Sequence, residues 1–298
     1  MTANNAITDA SSPYISYSFT QPYRAERLRS KLAGSASLSV AGLTEMQADT
    51  VSWAAVAWVR VLSRLGPLGD GDAEAARGML ASWDGDLTVG SGAALLYACF
   101  QRSLAAALYR PLLGDRTWEW IAAGVPAPTM TLVRRWLAND TWKLLGGPEP
   151  DEGTDAGDAN ADAGADTGDE RSARVLAALP GALADAWASA AGHGGPDPAS
   201  WRWGDAHQAV RVHPLYDGGP FPGVPMGGDA DTVQAAAYGW RAGSPFTVTA
   251  LSVYRQVVDL ASPETASYVI PGGASGDPES PHFSDQLAEW AEHRRIPM

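Results

Sequence analysis

Hydrophobic and polar positions divide this chain into a helical first half and a strand-rich end. From Thr44 the apolar residues recur at helical spacing, with Thr44 and Gln47 set as a capping box and Trp58, Val61, Leu62 and Leu65 on one side. Gly66-Pro67 stops that run. A second helix carries Ala76, Met79, Leu80 and Trp83 and ends at Asp84-Gly85, and a third spans 91–113 with Leu96, Phe100, Leu104 and Leu108 in register. A fourth, over 131–145, shows Val133, Trp136, Leu137 and Leu144. Short Gly/Pro loops between them make residues 44–147 a helical subdomain with a scaffolding role. Helical periodicity resumes at Ser172 through Leu176, Leu179, Leu183 and Trp187, despite Pro180.

After Gly194-Gly195-Pro196 the pattern turns to strands, at 201–207, 209–212, 232–238, 245–251 and 254–260. In the last of these Tyr254, Gln256 and Val258 alternate with Arg255, Val257 and Asp259. A shaped loop follows, Pro271-Gly272-Gly273-Ala274-Ser275-Gly276 and then Pro278-Glu279-Ser280-Pro281-His282-Phe283. It leads into a terminal helix from Ser284, with Ser284 as cap, Asp285 and Glu289 in its early turns, and Leu287, Trp290 and Ala291 on one apolar side. Helices first and strands last predict an α+β fold.

Composition changes the picture at one place. The formal charge of -13 is concentrated in 149–170, which holds nine acids and no base and leaves 25 acids against 21 bases elsewhere. Residues 148–171, built from Asp, Ala, Gly and Thr, read as a disordered acidic linker, because too little apolar surface is available to offset ordering entropy. The near-balanced remainder lacks the basic face that nucleic-acid binding needs. No run of about 18 apolar residues and no basic-apolar leader is seen, so neither a membrane span nor a signal peptide is expected. The single cysteine, Cys99, lies in an apolar helical run and reads as a core residue.

Candidate chemistry is sparse. His207, His213, Asp229, Asp231, His282 and Asp285 are separated too irregularly for a metal site, so His207 and His282 are expected to fix loops and no metal is expected. Asp259 is expected to anchor a turn or to pair with a base such as Arg255. Gly272, Gly273 and Gly276 do not form a phosphate loop, since no Gly-Lys-Ser/Thr follows.

One ordered set of motifs is more specific: Arg255 with Val257-Val258-Asp259, the Pro271 to Gly276 run, Ser280-Pro281-His282-Phe283 with Asp285-Gln286, and Trp290. Upstream stand Trp201-Arg202-Trp203-Gly204-Asp205-Ala206-His207 and Gly227-Gly228-Asp229-Ala230-Asp231-Thr232-Val233. This succession resembles the penicillin acylase (penicillin amidase) family of N-terminal nucleophile hydrolases, over nearly the whole chain except the acidic insert. The resemblance corresponds to the C-terminal half of the family's catalytic β-chain. It implies a portion of an αββα sandwich, with 1–43 as an oxyanion-hole segment leading into the helical part and 172–298 as a helix followed by strands and the terminal helix.

The opening Thr2-Ala3-Asn4-Asn5 is similar to the family's Thr-x-Asn-Asn segment, whose first Asn supplies an amide to the oxyanion hole. That role falls on Asn4. Tyr23-Arg24-Ala25-Glu26-Arg27-Leu28 resembles the next motif, which assigns Arg24 to orienting Asn4 through its side-chain carbonyl. The family nucleophile, an N-terminal Ser whose own α-amine is the base, would lie upstream, so no nucleophile is assigned within this chain. Thr2 would be freed by removal of Met1, but the match sets it beside Asn4 rather than at the head of the nucleophile strand. Family members carry a calcium-ligating Asp between the two motifs, where this chain has only Asp9 near Ser11-Ser12-Pro13-Tyr14-Ile15-Ser16-Tyr17; no cofactor is therefore expected. The implied activity is hydrolysis of a linear amide, either a β-lactam side chain or another acyl amide. The expected partners are an upstream acylase fragment or α-chain and a small-molecule amide, with no nucleic acid and no membrane. Acyl-homoserine-lactone deacylation and a non-catalytic remnant or interaction module are the alternatives.

Overall fold

A computed structural model describes residues 3–6, 19–34, 37–69, 71–123, 128–146, 168–210 and 223–298. The fold is α+β. Its helices are α1 (Tyr23–Ala33), α2 (Val40–Gln47), α3 (Trp53–Ser63), α4 (Gly71–Ala81), α5 (Gly92–Leu113), α6 (Asp115–Ala122), α7 (Pro128–Leu145), α8 (Gly168–Gly194), α9 (Trp203–Ala206) and α10 (Leu287–Ala291).

Helix α5 is the axis of the helical part. Ser91 caps it by accepting from Ala94 N, and Ala94 to Gln101 are buried without interruption. A helix apolar on every side must be surrounded. Here α8 covers it, with α4, α6, α7 and α9 also in contact. Phe100 is fully buried and meets the edge of Trp58 from α3, the ring centroids lying 5.3 Å apart. Helix α8 is long and apolar enough to cross a membrane by length and composition. It buries Val175, Leu179, Ala182, Leu183, Ala186 and Ala190 in the same core.

The strands are short. β1 (Gln208–Ala209), β2 (Val224–Pro225), β3 (Ala236–Tyr238) and β4 (Val248–Leu251) form a sheet in the order β2-β1-β4-β3. Its pairings are antiparallel except for parallel β1 and β4, and the register shifts between Ala237 and Tyr238. β5 (Arg255–Val257), β6 (Ser267–Val269) and β7 (Ile296–Pro297) form an antiparallel second sheet in that order. Ala209, Met226, Ala236, Val248, Val269 and Trp290 make a smaller core joining both sheets to α10.

Several expectations need correction. The helix expected from Thr44 is two helices, because Ser39 and Ser52 each cap a new start and accept from Gly42 N and Ala55 N. Thr44 instead donates back to Val40 O, and Gln47 reaches Gln256 O. Helix α6 was not anticipated. Helix α8 starts at Gly168, inside the segment read as linker, and Arg171 Nε donates to the buried Asp140, which also accepts from Tyr109 Oη. That carboxylate ties α5, α7 and α8 together. The rest of the linker, 148–167, lies outside the described residues, as do 211–212 of an expected strand. Residues 203–206 are helix rather than strand, and β6 and β7 were not foreseen. The terminal helix is preceded by Gln286 and has no side-chain cap, so Ser284 does not fill that role.

Deleting the Phe100 ring from this core is expected to lower unfolding stability by about 3–5 kcal/mol. Leu112→Ala, at a position on α5 that is 65% exposed, is expected to stay within about 0.5 kcal/mol of the parent. Urea-denaturation midpoints of the two variants measure the difference.

Candidate functional site

Of the opening Asn pair, Asn5 is buried and spends its amide locally. Its Oδ1 accepts from Ala3 N at 3.1 Å, and its Nδ2 donates to Ala6 O at 2.6 Å. Asn4 is exposed and has φ +63°, a left-handed conformation that Asn tolerates better than most residues. Its main-chain carbonyl accepts from both Thr20 N (2.9 Å) and Thr20 Oγ1 (3.1 Å). Arg24 Nη2 donates to the same hydroxyl at 3.2 Å. The described contact of Arg24 with Asn4 therefore runs through Thr20 to the main chain, whereas the sequence suggests a direct grip on the side-chain oxygen. Arg135 on α7 donates to Phe19 O at 3.1 Å and holds the neighbouring residue.

Behind Arg24 lies a buried group of charges. Asp229 and Asp231 sit in the turn between β2 and β3, where Asp231 N donates to Asp229 Oδ1 at 2.7 Å and the Thr232 hydroxyl closes the loop. Gly228, at φ +76°, supplies a conformation that side chains disfavour, and it leaves no room for a Cβ against Gln234 O. Arg134 on α7 approaches Asp231 at 3.5 Å and lies 5.1 Å over the Tyr238 ring. Burial, reinforced by the charge of Asp231, pushes the Asp229 carboxyl up to about 7. Burial pulls the Arg24 guanidinium down, opposed by Asp231 and then Asp229. Burial acts the same way on Arg134, but Asp231, Tyr238 and Asp229 together outweigh it and raise its pKa. A cavity of about 10 Å³ opens beside this group, lined in part by Tyr23, Gln101, Arg134, Thr141 and Asp231. Such a space is at the lower limit for one water molecule.

The upstream motifs converge on this region. Trp203 Nε1 donates to Gly228 O (3.1 Å), and His207 stacks on Trp203 with centroids 4.3 Å apart. His207 hydrogen-bonds Phe246 O at 2.8 Å, and burial pulls its pKa down to about 4, so it is a neutral structural residue at pH 7. His282 is exposed and pairs with Asp285 at 2.9 Å, while its carbonyl accepts from Ser275 N. Gly273 lies so close to the His282 carbonyl that any Cβ would overlap it. Asp259 caps its own turn at Ala261 N rather than meeting Arg255. His213, Asp9 and Thr2 lie outside the described residues. Thr20, Arg134 and Arg135 were missed by the sequence reading; adjacent arginines inside an apolar helical run were the available signal for the last two.

The penicillin amidase family model matches residues 1–298. The chain belongs to the penicillin amidase family. It is 33% identical to the penicillin acylase 2 proenzyme of Pseudomonas sp. strain SE83, over 100% of this chain and 36% of that protein. It is 27% identical to the acyl-homoserine lactone acylase QuiP of Pseudomonas putida, over 94% of this chain and 34% of the relative. The corresponding acylase of Pseudomonas fluorescens is 27% identical over 74% of this chain and 25% of its own length. The chain thus spans about a third of the length of the relatives it matches most fully.

For the calcium that the penicillin amidase family suggests, the described residues offer no group of three or more His, Cys, Asp or Glu able to hold a metal ion. The stretch around Asp9, where the resemblance sets the family's ligand, lies outside the described residues.

A carboxyl whose pKa is raised on folding stabilises below its unfolded value, and that contribution is lost as pH rises through the folded value. For Asp229 the window runs from about 4 in the unfolded chain to about 7 in the folded one. The thermal midpoint of Asp229→Asn is expected to gain on the parent as pH rises from about 4 to about 7 and to gain no further by about pH 8.

Proposed function

We propose that this chain is the C-terminal portion of a penicillin amidase-like enzyme that hydrolyses the carbon–nitrogen bond of a linear amide. The reading is carried by the family match extending through the opening segment, so that Asn4 falls inside the matched region. The nucleophile is an N-terminal Ser in the part of the enzyme this chain does not cover, with its α-amine as base. Attack on the amide carbonyl gives a tetrahedral oxyanion, and the Asn4 Nδ2–H donates to it. Collapse expels the amine and leaves an acyl-enzyme, which water hydrolyses. A fixed N–H donor at the oxyanion contributes about 3 kcal/mol of barrier lowering. In this proposal Arg24 supports the Asn4 segment, and the two small sheets and their helices complete the αββα sandwich of the N-terminal nucleophile hydrolases with the complementary chain.

The substrate follows the relatives in two directions. Identity over the whole chain favours a β-lactam acyl amide. Likeness to acyl-homoserine lactone acylases over 94% of the chain supports a fatty-acyl amide as the second reading. Both chemistries share the acyl-enzyme route and differ in the acyl pocket, which lies mostly outside this chain.

Co-expression with the complementary upstream portion is expected to yield amine release from a phenylacetyl or a fatty-acyl amide, with little activity from this chain alone. Asn4→Ala in that assembly is expected to lower kcat by about 10²–10³-fold with only a small drop in the thermal midpoint, since alanine tolerates the left-handed φ of +63° less well than asparagine. Activity indifferent to Asn4 would remove it from the mechanism, and release from neither amide would make the chain a non-catalytic relative.

A further inference from the structure

We infer that Thr20 is a positioning residue of the oxyanion segment, converting the charge of Arg24 into a fixed conformation of Asn4. This inference rests on the proposed oxyanion role of Asn4. Three observations carry it. Thr20 grips one atom, the Asn4 main-chain oxygen, with two donors at 2.9 and 3.1 Å. Asn4 is held at φ +63°, so loss of the hydroxyl's share of that grip, with the Thr20 N–H still in place, lets the backbone drift toward the ordinary region and shifts the Asn4 side chain from its present direction. Finally, the Thr20 hydroxyl accepts from the Arg24 guanidinium at 3.2 Å.

A hydroxyl has one proton and two lone pairs. At Thr20 the proton goes to Asn4 O, with a longer approach to Ala3 O at 3.4 Å, which leaves a lone pair free for Arg24. Accepting from a cation polarises the O–H and strengthens its own donation. The cation is itself held. Arg24 is half-buried, and it feels the carboxylates of Asp231 and Asp229. Arg135 fixes Phe19 O from α7, so the segment bearing Thr20 is clamped from two helices. Serine would keep the whole arrangement, whereas alanine and valine would break the link from Arg24.

The test uses the amidase assembled from this chain and its complementary portion. Thr20→Ala and Thr20→Val are expected to lower kcat by about tenfold with KM unchanged, because a misplaced donor weakens the transition state without weakening binding. Thr20→Ser is expected to restore wild-type kcat. In the Asn4→Ala background Thr20→Ala is expected to bring no further loss, since nothing remains to be positioned. An unchanged kcat in Thr20→Ala, or an equal loss in the Asn4→Ala background, overturns the inference. Should the valine variant not fold, the alanine variant, which adds no bulk, decides. If Asn4→Ala leaves kcat intact while Thr20→Ala lowers it, the oxyanion reading itself falls and this inference falls with it.

Discussion

Two carboxylates on one turn, Asp229 and Asp231, have been taken out of water, and the structure around them follows from that constraint. A buried charge is tolerable only when opposite charge and hydrogen bonds replace its hydration. The replacements come from separate elements: Arg134 from α7 against Asp231, the charge of Arg24 from α1, and the main-chain N–H groups of Asp231 and Thr232 against Asp229. The second oxygen of Asp229 has no hydrogen bond among the described residues, and its carboxyl is held partly protonated at neutral pH. Tyr97 of α5, buried nearby, has its hydroxyl pKa raised by burial and by the same two carboxylates. Helix α1 is tied in a second way, since Arg27 and Lys31 hold Asp49, whose carbonyl accepts from Gln234 N just beyond the turn. The meeting of helical and strand-bearing parts is thus set by charge neutralisation as well as by apolar contact.

Close backbone approach is the complementary device. Gly204 packs where a Cβ would strike Val89, and its N–H donates to Val89 O at 2.8 Å; Gly228 N reaches Leu87 O at 2.8 Å. These contacts press the loop before α5 against both the Trp203 segment and the aspartate turn. Trp203, fully buried, then joins Gly228 to His207, Tyr238 and Phe246. Glycines and tryptophans in the two upstream motifs are therefore parts of one junction.

Much of this was legible in the residues, and what was missed has physical causes. Helix α5 declared itself through a 3.6-residue apolar period behind Ser91, and the glycine- and tryptophan-bearing motifs carried the family. Strands β6 and β7, of three and two residues, are too short for alternation to register, and their pairing depends on distant partners. The break between α2 and α3 was hidden because Thr44 and Gln47 imitate a cap while Ser52, the true one, precedes a Trp. Asn4 and Arg24 could be matched to motifs, but Thr20 could not, since its significance lies in a contact with a carbonyl sixteen residues away.

One feature of the C-terminal end sets how it responds to its surroundings. Buried Arg255 holds α10 to β5 by donating to Trp290 O at 2.7 Å, by meeting His293 Nδ1 at 3.0 Å, and by lying 4.7 Å over the Trp290 indole. These partners are neutral: burial and the Arg255 charge pull His293 down to about 4, while burial alone brings Arg255 to about 10. Mobile ions screen attraction between full charges far more than they weaken a buried cation against a carbonyl and a ring. The closure of α10 over the second sheet is therefore insulated from ionic strength, whereas the partly exposed Arg27–Asp49–Lys31 cluster that seats α1 is open to the salt around it.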